Sequence, residues 1–109
     1  MSGITGIYNV DGRPADSALL QQLTRASAHR GPDGIGHWLA GPVALGHAML
    51  HTTPESLRET QPLTADQGNL CLTLDGRVDN RSELRTLLEG KGCAPRADTD
   101  AELVLRAYE

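Results

Sequence analysis

His29-Arg30-Gly31-Pro32-Asp33-Gly34 stops a helix and redirects the chain within one short run. Gly31 supplies a C-cap, Pro32 has no N–H to continue a helical ladder, and Asp33-Gly34 is a turn pair. Upstream, Pro14 to Arg30 reads as a helix. Asp16 or Ser17 can cap it, and Leu19, Leu20, Leu23 and Ala26 recur at helical spacing. Downstream, Ile35 to Leu39 and Val43 to Leu50 read as two strands joined at Ala40-Gly41-Pro42, hence a hairpin.

Further out, Gly3 to Val10 reads as an opening strand. Ile4, Tyr8 and Val10 share one parity, and Asp11-Gly12 ends the run. Thr52 to Gln67 is polar, carries Pro54 and Pro62, and reads as an extended loop. Asn69 to Leu74 alternates as a strand does and is closed by Asp75-Gly76. Asn80 to Leu88 reads as a second helix, with Asn80 and Glu83 at capping-box spacing, Leu84, Leu87 and Leu88 inward, and Gly90 and Gly92 at its end. Thr99 to Glu109 reads as a third helix. Thr99 and Glu102 repeat the capping spacing, and Leu103, Val104 and Ala107 are expected to pack inward. No Gly, Asn or Pro stops that helix, so the chain is expected to be cut short of its domain's end. Periodicity alone allows α+β or α/β, in one domain over residues 1–109.

Aromatic residues make up only 3% of the chain (Tyr8, Trp38 and Tyr108), so the core must come from Leu, Val, Ile, Ala and Met. The net charge of -4 and the scattered basic residues argue against nucleic acid as a partner. No apolar run is long enough for a bilayer, and no export signal opens the chain, so a cytoplasmic protein with Cys71 and Cys93 as free thiols is expected. His47 and His51 are four apart, but on or just past a strand that spacing does not gather ligands, and no metal site is expected. The oligomeric state, a homodimer included, stays open.

Several landmarks in order resemble the N-terminal glutaminase domain of the asparagine synthetase B family, a class II glutamine amidotransferase. They are Gly3-Ile4-Thr5-Gly6-Ile7 after residue 2, the hexapeptide His29 to Gly34, Leu45-Gly46-His47 leading to Leu50, and Gln61-Pro62-Leu63. Asp75-Gly76-Arg77-Val78-Asp79-Asn80 with Glu83-Leu84-Arg85 follows, then Thr99-Asp100-Ala101-Glu102 with Ala107-Tyr108-Glu109. The resemblance implies an α+β fold of the N-terminal-nucleophile type. That fold is a four-layer αββα sandwich with antiparallel sheets, here incomplete at the C-terminus. It also implies a residue-2 nucleophile freed by loss of Met1, with its own α-amino group as base and glutamine as substrate. An α-amine suits that role because it titrates near neutrality. A downstream ATP-pyrophosphatase domain in cis, using ATP and Mg, is implied too, with no cofactor in this segment.

Four positions depart from the family's pattern. The nucleophile position is Ser2 where the family has cysteine, and a hydroxyl is far less ionised than a thiol. Met49 stands where an arginine would bind the glutamine carboxylate, and methionine makes no bidentate contact. Asp75 replaces the oxyanion-stabilising asparagine; Gly76, the other oxyanion-hole position, is kept. Arg77 replaces a glutamate facing the substrate ammonium and can pair with Asp75, Asp79 or Asp100. Asp100 matches the retained ammonium-binding aspartate, and equally well serves the dipole of a helix N-terminus. Taken singly, Ser2 can be a small filler, Met49 core packing and Arg77 a surface residue. Arg30 and Asp33 are expected to pair locally as scaffold.

Three readings follow. The first is an amidotransferase-like domain that has lost glutamine hydrolysis, within an ATP-dependent amide-forming enzyme, as in β-lactam synthetases and lasso-peptide cyclases. The second is a working glutamine-dependent asparagine synthetase segment with Ser2 as a substituted nucleophile, natural or engineered. The third is a non-catalytic structural or interaction domain.

Overall fold

The computed structural model describes residues 2–52, 54, 57, 59–65, 68–95 and 99–108. Within them the chain is α+β, with antiparallel sheets and three α-helices. Strand β1 spans Gly3–Tyr8, helix α1 Ser17–Ala26, β2 Ile35–Ala40 and β3 Val43–Ala48. Short strands β4, Leu63–Thr64, and β5, Cys71–Leu72, come next. Helices α2, Arg81–Gly90, and α3, Asp100–Tyr108, follow.

The expected hairpin forms. Gly41 takes a positive φ of 55° at the first turn position, and β2 and β3 pair from Ile35↔Ala48 to Ala40↔Val43. β1 adds to the other edge of β3, antiparallel, from Gly3↔Ala48 to Tyr8↔Val43, giving the order β1-β3-β2. Alternation then separates two faces. One carries Thr5, Ile7, Ala44, Gly46 and Ala48, and α1 lies across it. Gly46 is the point of closest approach: a Cβ there would collide with the hydroxyls of Thr24 and Thr5. Those two hydroxyls lie 3.1 Å apart, and the Thr24 hydroxyl donates to the Leu20 carbonyl. Leu20, Ala44 and Ala48 are buried beneath the helix. Burying Leu20 alone contributes about 1.5–3 kcal/mol.

The opposite face carries Ile4, Tyr8, Val43, Leu45, His47 and Trp38. Ile4 and Tyr8 remain exposed, so the shared parity read in the first strand marks the face away from the helix. Only its far end is approached. The missing side chain of Gly36 admits the Gln61 carbonyl, and His47 Nδ1 is 2.8 Å from Thr73 Oγ1. The β4–β5 ribbon, paired Leu63↔Leu72 and Thr64↔Cys71, therefore sits over the His47 end.

The hexapeptide behaves as a clamp. Residues Ala28–Arg30 form a 3-10 turn after α1, and Gly31 touches the main chain of Ala48 so closely that any Cβ would overlap its carbonyl. Asp33 N–H donates to the Met49 carbonyl and Met49 N–H to that of Gly34, at 2.9 and 2.8 Å. The Asp33 carboxylate accepts from the His51 N–H at 2.8 Å, so its scaffold partner is this amide and not Arg30.

Other expectations need correction. The helix read over 14–30 is α1 plus the separate 3-10 turn, and Asp16 caps it by accepting from Ala18 N–H. Leu19 and Leu23 lie at its exposed rim, while Thr24 takes the buried position because Gly46 leaves room there. The loop read over 52–67 contains β4, and the strand read over 69–74 pairs only at Cys71–Leu72 because β4 is two residues long. Asn80 makes no side-chain cap bond at α2, and Leu87 is exposed while Leu88 is buried. Thr99 does cap α3, accepting from Glu102 N–H at 3.2 Å. The Glu102 carboxylate pairs with Arg106 Nε at 2.8 Å. Ala101, Leu103 and Leu105 form the buried side of α3, Val104 is half-buried and Ala107 exposed. The expected end of that helix at residue 109 lies outside the described residues. Cys71 and Cys93 are free thiols, the former half-buried, and burial pushes its pKa up. Among the described residues no helix is long and apolar enough to cross a membrane.

Candidate functional site

Ser2 precedes β1, and the register Gly3↔Ala48 sets it level with Met49, just past the end of β3. It is 8% exposed. Its Oγ accepts a hydrogen bond from the Leu50 N–H at 2.9 Å and lies 4.0 Å from the Met49 sulfur. Its main-chain N–H donates to Asp75 Oδ1 at 3.1 Å. Residues 73 apart in sequence thus meet because β1 runs beside β3 while the β5 segment returns over the His47 end. Gly3 permits this: a Cβ there would press on Ser27.

A cavity of about 260 Å³ opens at Ser2. Met49, Asp75, Gly76, Arg77 and Asp100 all line it, so the six positions singled out from sequence share one site. Their partners differ from the simplest expectation. Arg77 sits at the rim, largely exposed, and pairs with Asp79 at 2.9 Å. Asp100, at the start of α3, is paired with Arg81 from the start of α2. The Asp100 side chain is 13% exposed and that of Arg81 30%, so this pair is shielded more than a surface pair.

Arg81, Glu59 and Gln61 also line the cavity and were not singled out from sequence. Glu59 Oε1 accepts from the Ala101 N–H at 3.2 Å, satisfying an orphan donor in the first turn of α3. Gln61 Oε1 accepts from the Leu74 N–H at 2.6 Å and so fixes the backbone that leads to Asp75. Arg81 had a faint signal, a cation next to the helix cap at Asn80. Gln61 stands out only within the landmark Gln61-Pro62-Leu63, and Glu59 sits in a polar loop that offers no signal.

His47 lies behind Asp75. Burial lowers its pKa, partly opposed by the negative charge of Asp75. A second cavity of about 170 Å³ is lined by His47, His51, Gly36 and Asp33, and shares Met49, Glu59 and Gln61 with the first. Among the described residues His47 Nε2 and His51 Nδ1 have no hydrogen-bond partner. No group of three or more His, Cys, Asp or Glu among them is disposed to hold a metal.

Chemically, the first cavity presents a hydroxyl next to a main-chain nitrogen and a carboxylate, with an apolar wall at Met49 and Leu50. Three carboxylates (Glu59, Asp75, Asp100) and two guanidinium groups (Arg77, Arg81) face it.

Comparison with known proteins shows the family. The chain is 31% identical to asparagine synthetase [glutamine-hydrolyzing] 1 of Bacillus subtilis over 99% of its own length, which is 17% of that protein. It is 30% identical to asparagine synthetase [glutamine-hydrolyzing] 1 of Arabidopsis thaliana over its full length, 18% of that protein. An amidophosphoribosyltransferase of Archaeoglobus fulgidus is 27% identical over 95% of the chain and 29% of the relative. The chain therefore spans less than a fifth of these two asparagine synthetases. A family model described as a glutamine amidotransferase domain matches residues 1–109 from end to end, and the chain belongs to that family.

Proposed function

We propose that this glutamine amidotransferase domain has lost glutamine hydrolysis and serves an ATP-dependent amide-forming enzyme of the asparagine synthetase type. The observation that carries this reading is the Arg81–Asp100 ion pair in the lining of the cavity that Met49 also lines. Free glutamine needs a cation for its carboxylate and an anion for its ammonium. Met49 offers no cation, the two guanidinium groups in the lining are paired with Asp79 and Asp100, and Asp100 is thereby engaged as well. A ligand charge that finds no partner in such a site forfeits about 2–5 kcal/mol of recognition. Ser2 adds a kinetic handicap, because an unactivated hydroxyl is a weak nucleophile.

In this reading Met1, which lies outside the described residues, is removed in the mature chain. The synthetase domain, with its ATP and Mg, follows in cis, and the amine it uses is not ammonia drawn from this cavity. The relatives' greater length supports a longer parent. The four-layer sandwich is part of the proposal. It is supported by the uncovered Ile4 and Tyr8 on the face away from α1 and by the β4–β5 ribbon already lying over the His47 end. A cytoplasmic location is part of it as well.

Ammonia release from glutamine by the unmodified protein and by Ser2→Cys tests the reading. Both are expected to stay at background. Robust hydrolysis by Ser2→Cys would overturn it, since Met49 and the Arg81–Asp100 pair remain in that variant. A downstream reading frame carrying Ser-Gly-Gly-x-Asp-Ser would support the synthetase half, and a frame without it would remove that half of the proposal.

A further inference from the structure

Three carboxylates face the main cavity, and two have identifiable counterparts. Asp100 is paired with Arg81, and Glu59 accepts from the N–H of Ala101 in the first turn of α3. Asp75 is matched differently. Among the described residues its hydrogen-bond donor is the main-chain nitrogen of Ser2, at 3.1 Å, and no guanidinium is bonded to it. Arg77, two residues on, is turned outward to Asp79. An N–H from an amide is a weak match for a part-buried carboxylate. An ammonium at the same atom is a strong one.

We infer that Asp75 is the counter-ion of the Ser2 α-ammonium group exposed when Met1 is removed, and that this ion pair keeps the amine from acting as a base. The inference rests on the proposed loss of glutamine hydrolysis and adds a cause for it that lies in the base, not in the nucleophile or the substrate contacts. Removal of Met1 turns the Ser2 nitrogen from an amide into a primary amine. At 3.1 Å from Asp75 Oδ1 it takes a proton from solvent and becomes a charged partner. Asp75 then has a charged partner of its own, as Asp100 has in Arg81.

The other groups around the amine do not reverse this. Burial lowers the pKa of His47 and so disfavours a second cation beside Asp75. Arg81 spends its charge on Asp100, and Arg77 on Asp79 at the rim. A protonated amine has no lone pair to accept the Ser2 hydroxyl proton, so Ser2 Oγ stays a hydroxyl held by the Leu50 N–H. An uncharged amide side chain at position 75 would hydrogen-bond the same nitrogen without holding its proton.

The test is the pH dependence of trace acetylation of the Ser2 amine in the intact folded protein. Intact mass first establishes Met1 removal, and a Ser-Gly-Ile tripeptide in the same tube serves as standard. The tripeptide should titrate near the usual α-amine value of about 8. The Ser2 amine is expected to titrate at least about one unit higher, so that near neutral pH its labelling rate, normalised to its own alkaline plateau, is about tenfold below that of the tripeptide normalised in the same way. Asp75→Asn should bring its midpoint back to that of the tripeptide. A midpoint at or below the tripeptide's, or one left raised by Asp75→Asn, overturns the inference, as does retention of Met1. Should Asp75→Asn not fold, the unmodified protein measured against the tripeptide decides alone. No glutamine enters this experiment. Glutamine turnover would therefore sink the proposed function and leave the ion pair standing, while an ordinary amine midpoint would do the reverse.

Discussion

Arg81, the first residue of α2, reaches across to the carboxylate of Asp100, the first residue of α3. This ion pair ties the two helices together and occupies the acid that the proposed reading assigns to a ligand's ammonium. Both roles are measurable. Removing Arg81 leaves Asp100 mostly buried without its guanidinium, and Arg81→Gln is expected to cost about 1–3 kcal/mol in urea unfolding. A double-mutant cycle with Asp100→Asn should return a coupling of about 0.5–3 kcal/mol. Additive losses would show that the pair stores no energy.

Gly31 makes a sharper prediction. The Ala48 carbonyl lies where a Cβ would have to go, and both partners are backbone. Neither can swing away as a side chain would. Gly31→Ala should therefore force the hexapeptide off β3 and break the Asp33–Met49 and Met49–Gly34 hydrogen bonds. The expected cost is at least about 3 kcal/mol, at the upper end for a single substitution. Gly12→Ala is the comparison, because nothing crowds that position but its φ of 81° carries the usual left-handed penalty of about 1 kcal/mol. Equal losses at the two sites would contradict the clamp.

His47 gives the chain a pH dependence of known sign. Burial lowers its pKa in the folded state, and the negative charge of Asp75 offsets only part of this. The unfolded chain therefore binds the proton more readily, and stability falls as pH drops below the unfolded value of about 6.5. The contribution is full above that value and is lost towards the lowered folded pKa. Urea midpoints should fall between about pH 7.5 and about pH 5.5, and His47→Gln should flatten that decline. An unchanged slope in His47→Gln would show that other groups cause it.

Short-range signals were legible and long-range ones were not. The Asp16 cap, the Gly41-Pro42 hairpin and the Thr99 cap each rest on residues a few positions apart, and each is present. The buried Thr24 was hidden because its place depends on Gly46, on another element. Periodicity gave Leu19 and Leu23 equal standing with Leu20, although of the three only Leu20 is buried against the sheet. In the site, position 2 meeting Met49, Asp75 and Asp100 was readable only through the ordered landmarks. Arg81 was missed because its partner lies nineteen residues away, and Glu59 because its partner is the backbone of a helix forty-two residues on. Loop side chains that satisfy distant main-chain groups leave no periodic trace.

The most direct test of the account is a calorimetric titration of glutamine into the unmodified protein. With Met49 at the position the proposed reading assigns to the ligand's carboxylate and Asp100 held by Arg81, no saturable heat is expected up to about 1 mM, an affinity of roughly 4 kcal/mol. Saturation in the micromolar range, abolished by Asp100→Asn, would contradict it.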